Sequence, residues 1–226
     1  VRSGASPQLA EFAERLNIPV ANTFMAKGVI PFKHRCALGS AGLQANEYVS
    51  CGFDKADVII CVGYDLVEYH PYLWHPERNR TIIHIDYSPA ETDAHYPVAV
   101  GVIGDIKHSL DRIAQLTTPH QGAHVRPLRE RLVQEMLQHR DDLEYPVKPQ
   151  KIIWDLRTTL DLEDIVVCDV GAHKMWMARM FRCEHPNTCI ISNGFASMGI
   201  AVPGAIAAKL VYPQRHVVAV TGDAGF

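Results

Sequence analysis

Three short segments carry residues whose types and spacing suit the binding of phosphate and a divalent metal. In Val217-Val-Ala-Val-Thr-Gly-Asp-Ala-Gly-Phe226 an apolar run ends on one carboxylate, Asp223, set among Gly222, Ala224 and Gly225. Small residues let backbone N–H groups approach phosphate oxygens closely, and a carboxylate there can ligate a Mg²⁺ that bridges phosphates. The plainer alternative is a strand-end turn with Asp223 capping a helix. In Cys168-Asp-Val-Gly-Ala-His-Lys-Met-Trp176, Gly171 and Ala172 permit an anion close to the backbone, and His173 can donate to a phosphate oxygen. The plainer alternative is an ordinary strand–helix loop with a solvated histidine. In Ser192-Asn-Gly-Phe-Ala-Ser-Met-Gly-Ile-Ala-Val-Pro-Gly204, Met198 is one bulky, adaptable side chain in a run of small groups. The plainer alternative there is a core methionine.

The elements that must position these segments alternate between strand and helix. Leu9, Phe12, Ala13 and Leu16 have the i, i+3, i+4, i+7 spacing of a helix stripe, with Ser6 as its N-cap and Pro7 at its first position. Near-continuous apolar runs at Val58–Val62, Thr81–Asp86 and Val98–Val102 read as strands of a parallel sheet covered on both faces. Asp105 to Leu116 reads as a closing helix. The mixed-charge stretch from Arg126 to Leu143 has one apolar face, Leu128, Leu132, Val133, Met136 and Leu137, and is expected to be a solvated connector. Tyr145-Pro-Val-Lys-Pro149 ends it. The pattern then restarts with a helix near Gln150–Leu160, strands at Ile165–Cys168, Cys189–Ile191 and Val217–Val220, and a small-residue helix containing Ala201, Ala205, Ala207 and Ala208.

The expected fold is therefore α/β, with two doubly wound parallel-sheet domains, the second truncated. Residues 1–120 form the first, Rossmann-like domain with its first strand missing, 121–149 the connector, and 150–226 the second domain. Both ends of the chain read as interrupted structure. Ligands of such sheets bind at the carboxyl ends of strands, which selects the loops after Cys168, Ile191 and Val220.

Composition narrows the function. With 226 residues, 47% of them apolar, the chain can bury a core, and a formal charge of -3 argues against nucleic-acid binding. No apolar run reaches the roughly 20 residues of a membrane span. Six scattered cysteines without a CxxC pair, two of them (Cys61 and Cys168) in apolar runs, fit a reducing cytoplasm. None of the spacings among the twelve histidines and the cysteines is a zinc pattern, and most histidines are expected on the surface or in loops. No G-x-G-x-x-G follows a first strand, which weakens the alternative of a non-catalytic nucleotide-binding module.

Taken in order, the three loops resemble the pyrophosphate-binding domain of thiamine-diphosphate enzymes, whose signature Gly-Asp-Gly stands here as Gly222-Asp223-Ala224. The resemblance sharpens to the acetolactate synthase type. It implies that Val170-Gly-Ala-His173 holds the diphosphate, with Gly222, Ala224 and Gly225 close by. It also implies that the Ala196 carbonyl accepts from the aminopyrimidine, that Met198 wedges the cofactor into a bent shape, and that Asp223 ligates Mg²⁺. The family's second metal ligand, an Asn, and its activating Glu, from another domain and usually from a partner subunit, match no segment here. No catalytic acid or base is therefore assigned, and the isolated chain is expected to be inactive. The first half resembles the family's central domain in Phe24-Met-Ala-Lys-Gly28, Ala56-Asp-Val-Ile-Ile60 and Ile83-His-Ile-Asp86. Flavin-containing members carry an Arg-Phe-Asp-Asp-Arg-like segment where this chain has Gly63-Tyr-Asp-Leu-Val-Glu-Tyr-His-Pro71, so the likeness is to the FAD-free, catabolic type. The implied reaction joins two pyruvates into 2-acetolactate and CO₂ in a homodimer or homotetramer with the site at a subunit interface. Another thiamine-diphosphate-dependent 2-keto-acid decarboxylase or oxidase is the alternative.

Overall fold

A computed structural model describes residues 1–42, 48–91, 93–118 and 126–226. In chain order the elements are α1 (Ser6–Leu16), β1 (Val20–Asn22), β2 (Ala37–Ser40), α2 (Tyr48–Asp54), β3 (Val58–Val62), α3 (Pro71–Trp74), β4 (Thr81–Asp86), β5 (Val98–Ile103) and α4 (Ile106–Leu116). They continue as α5 (Arg126–Gln138), α6 (Pro149–Thr159), β6 (Ile165–Cys168), α7 (Ala172–Met180), β7 (Cys189–Ile191), α8 (Ala201–Val211) and β8 (Val217–Val220). Short 3₁₀ turns lie at Phe24–Ala26 and Asp223–Gly225. The fold is α/β, and every strand pair is parallel.

The apolar runs become strands because each is covered by helices. In α1, Phe12, Ala13 and Leu16 are buried, and left-handed Asn17 closes the helix with its N–H on Ala13 and Glu14 carbonyls. Ser6 is not the N-cap. Ala5 holds that place, Pro7 falls at the second position, and the Ser6 hydroxyl is buried without a partner. Asp105 caps α4 from outside, accepting from the His108 N–H at 2.8 Å. Helices α1 and α4 meet the β4 side of the sheet through Phe12, Leu16, Ile85, Ile106 and Leu110.

In the first half the strands fall into two sheets, β1–β2 and β3–β4–β5. Strands β1 and β3 are both edges, and a mostly apolar cavity of about 570 Å³ opens between them, lined among others by Val20, Ala21, Ile59, Cys61, Tyr69 and Trp74. Most histidines were expected on the surface or in loops, but His75 and His84 of this half are buried. His75 bridges the His95 carbonyl and the Arg80 N–H, and His84 meets the Tyr96 hydroxyl at 3.0 Å. The imidazole's two polar atoms give each a second anchor that hydrophobicity alone does not signal.

The expected connector at 121–149 lies partly outside the described residues, since 119–125 are not among them. Helix α5 ends at Gln138 and is not merely solvated. It buries Leu128, Leu132 and Met136, its Arg129 donates to the Phe32 and Ala37 carbonyls, and its Glu135 pairs with Arg179 of α7 at 2.8 Å. The halves also meet directly. The buried Lys27 ammonium donates to the Ala178 carbonyl at 2.6 Å, and Gly28 lies against the His185 backbone.

The sheet of the second half has the order β7-β6-β8, with helices on both faces. Val166 and Cys168 of β6 face Met177, Ala178 and Phe181 around α7, whereas Ile165 and Val167 face Ala201, Ala205 and Ala208 of α8. Small residues on α8 bring it close; a side chain at Gly204 would lie 3.2 Å from Val167. All six cysteines are free, and no helix among the described residues is long and apolar enough to cross a membrane.

Candidate functional site

The chain leaves β6 through α7 to reach β7 on one side, then crosses through α8 to β8 on the other. The carboxyl end of β6 is thus the point where strand order reverses, and three loops meet there: 169–171, 192–200 and 221–225.

The first loop turns directly into α7. Gly171 precedes the helix, and a Cβ on it would stand 2.8 Å from the His173 ring; at Gly222, in the third loop, a Cβ would stand 3.5 Å from the same ring. The imidazole therefore lies between the first and third loops. Its Nε2 is buried and has no hydrogen-bond partner among the described residues. A buried polar atom left so costs on the order of 1–3 kcal/mol, which an anionic oxygen would relieve. The solvated-histidine alternative does not fit this placement. Next to it, Lys174 donates to Asn193 Oδ1 at 3.2 Å and sits 5.2 Å from the centre of the Phe24 ring.

The second loop is held to the first half by Asn193, whose Nδ2 donates to the Glu68 carbonyl at 3.0 Å. Ala196 adopts a left-handed conformation, φ 46°, which costs an L-residue about 1 kcal/mol or more. On either side of it Phe195, Met198 and Ile200 are exposed, Met198 to 57%. The core-methionine alternative is excluded by that exposure.

In the third loop Asp223 opens the 3₁₀ turn, is exposed, and among the described residues accepts only a local bond, from the Ala224 N–H at 2.9 Å. It caps no longer helix among the described residues. No group of three or more metal-ligating His, Cys, Asp or Glu side chains occurs among the described residues. A divalent ion at Asp223 would have this one carboxylate from the loop and would need oxygen ligands from a bound phosphate.

Sequence reasoning passed over the residue on which all three loops converge. Asp169, directly after β6, is fully buried. Its carboxylate accepts from the N–H groups of Val170 at 2.7 Å, Gly199 at 2.9 Å to both oxygens, and Ala201 at 3.2 Å. Gly225 of the third loop packs so closely that a Cβ there would stand 2.8 Å from Asp169 Oδ2. Burial pushes this carboxyl's pKa up, but the Val170, Ala201 and Gly199 donors and the nearby His173 outweigh it and hold it below the ordinary 3.8. The neighbouring Cys168 thiol is pushed up to about 12 by burial and then by the Asp169 charge, so it is an inert thiol. One signal in the sequence pointed to Asp169: a carboxylate that ends an all-apolar strand and precedes a glycine-containing turn must find N–H donors.

Residues 1–113 match the family described as thiamine pyrophosphate enzyme, central domain, and residues 169–226 match thiamine pyrophosphate enzyme, C-terminal TPP binding domain. The chain is 32% identical to an acetolactate synthase of Bacillus subtilis over 100% of its own length and 40% of the relative's. It is 33% identical to a probable acetolactate synthase large subunit of Methanocaldococcus jannaschii, over 99% and 40% respectively. It is 34% identical to a catabolic acetolactate synthase of Raoultella terrigena, over 83% and 34%. The chain thus spans about two fifths or less of the length of these relatives.

Proposed function

The chain belongs to the thiamine pyrophosphate enzyme family, and from that premise we propose that the complete protein condenses two pyruvates to 2-acetolactate with release of CO₂. The observation that carries the cofactor reading is the buried Nε2 of His173, which has no hydrogen-bond partner among the described residues and is set between two glycine-bearing loops at the strand-order reversal. That placement suits a diphosphate oxygen. The choice of acetolactate among the family's products rests on the acetolactate synthases the chain is similar to.

In this reading Val170, Gly171, Ala172 and His173 hold the diphosphate, while Gly222, Ala224 and Gly225 keep the third loop narrow enough to approach it. Asp223 gives Mg²⁺ one carboxylate oxygen, in keeping with that ion's habit of combining one or two carboxylates with phosphates. The carbonyl of left-handed Ala196 would accept from the aminopyrimidine, and the exposed Met198 would support the cofactor from the side of the second loop. Thiamine diphosphate, when bound, supplies the electron sink for decarboxylating a 2-keto acid. The residues of this chain bind and orient it; none is assigned as acid or base. The enzyme is proposed to be cytoplasmic, to act as a homodimer or homotetramer with the site at a subunit interface, and to carry no FAD, since residues 63–71 lack the arginines and paired aspartates of the flavin-containing type.

Calorimetry of the complete enzyme with thiamine diphosphate and Mg²⁺ tests this. Asp223→Asn is expected to weaken cofactor binding and raise the Mg²⁺ requirement with the fold intact; equal affinity in both proteins removes Asp223 from the metal site. Pyruvate turnover is expected to yield acetolactate. Acetaldehyde or acetyl phosphate in its place assigns a different thiamine-dependent reaction, and a flavin spectrum near one equivalent in the purified enzyme overturns the flavin-free assignment.

A further inference from the structure

We propose that Asp169 is a positioning residue that sets the distance between the loop at 192–200 and the loop at 170–173, and so determines how much more tightly the site binds thiamine diphosphate than bare diphosphate. This rests on the cofactor reading above and adds to it a residue that touches no part of the cofactor.

A carboxylate taken fully out of water is expensive unless several donors surround it. Asp169 meets that condition with backbone N–H groups from Val170 in its own loop, Gly199 in the next, and Ala201 at the start of α8. Charge-assisted bonds of this kind are roughly twice as strong as neutral ones. Gly225 of the third loop packs against the same group, since a Cβ there would stand 2.8 Å from Oδ2. One buried anion thus ties the segments assigned to the diphosphate, the aminopyrimidine and the metal.

The tie is unequal, which gives it a distinct signature. An Asn at 169 keeps one oxygen, which can still accept from its neighbour Val170. Its amide N–H₂ replaces the other oxygen, Oδ2, which accepts from Ala201 and is the second of the two oxygens that Gly199 reaches. Donor then faces donor at Ala201, and Gly199 keeps only its bond to Oδ1, so the 192–200 loop and the start of α8 are held less firmly while 170–173 keeps its own bond. A cofactor with a ring system suffers from that loss; a bare diphosphate does not.

The experiment measures affinity for thiamine diphosphate and for inorganic pyrophosphate, both with Mg²⁺, in the complete enzyme and in Asp169→Asn. Pyrophosphate affinity is expected to stay within about twofold, while thiamine diphosphate affinity falls about tenfold or more, the scale of one lost charge-assisted bond. Gly225→Ala, which presses on Oδ2 from the third loop, gives a second variant should Asp169→Asn not fold. It is expected to lower the same ratio, and the double variant to be no worse than the more affected single one. If both affinities fall by one common factor, or neither falls, Asp169 is only a structural residue and the proposal is overturned. If the unaltered enzyme shows no preference for thiamine diphosphate over pyrophosphate, the cofactor reading fails first, and this inference with it.

Discussion

Met198 stands largely in water although its side chain is apolar, and that separates a ligand-facing role from a packing role at the level of one residue. A buried methionine cut to alanine loses roughly 2–5 kcal/mol, whereas exposed positions usually move stability by less than about 0.5 kcal/mol. Met198→Ala in the complete enzyme is therefore expected to shift the melting temperature by no more than about 2 °C while lowering kcat about tenfold or more, since a slack cofactor spends less time in the reactive geometry. Unchanged turnover with a large fall in melting temperature would falsify this. The sequence made Met198 visible because one bulky side chain interrupts a run of small ones. It did not make Asp169 visible as a hub, because the donors that define its role come from Gly199 and Ala201, some thirty residues on, and only the folded sheet brings them together.

At the scale of elements, the sheet of the second half is held at both ends of β6 by a carboxylate that depends on being charged. Asp169 lies at the carboxyl end. At the amino end the buried Asp164 accepts from the N–H groups of Asp161 and His216, both at 2.8 Å, and so ties the start of β6 to the start of β8. Burial raises the Asp164 pKa, but those donors and His216 outweigh it and hold it below 3.8. The folded value lies under the unfolded one, so the stabilisation is fully present above about 3.8 and is lost as pH falls through the folded value. Denaturant unfolding between about pH 6 and 2 should show Asp164→Asn less stable than the parent at neutral pH, with the two curves converging in acid; parallel curves would remove the linkage. Strands as apolar and continuous as β3, β4 and β6 were legible to the residue. Strands β1 and β2 were not, because three or four residues including Asn22 and Ser40 carry no period. Helix α7 was missed because its buried side chains, Met177, Ala178 and Met180, do not fall on one regular stripe.

For the whole molecule the decisive contacts are those between the halves. Gly28 has φ 81°, and a Cβ on it would stand 2.2 Å from the His185 carbonyl oxygen, a backbone atom that cannot swing aside. Gly28→Ala combines left-handed strain with a backbone clash and is expected to cost more than about 2 kcal/mol, read as a lower denaturant midpoint. A loss below about 0.5 kcal/mol would show that the halves slide apart without penalty. The sequence marked Phe24–Gly28 by resemblance but gave no sign that Lys27 reaches the Ala178 carbonyl, a partner 151 residues away. Contacts of that range have no local pattern to be read.

The slot between β1 and β3 gives compression something to act on. Unfolding is usually accompanied by a volume decrease of about 20 to 100 mL/mol, which scales with the internal void removed. A cavity of about 570 Å³ that opens to solvent between two strand edges admits more water under hydrostatic load, which makes the first half of this chain the softer one. Trp74 lines the slot, while Trp154 and Trp176 pack against the second core. In single-tryptophan variants, fluorescence at rising pressure should therefore change first at Trp74 and only later at the other two. A single shared midpoint would mean that the halves yield to pressure as one body.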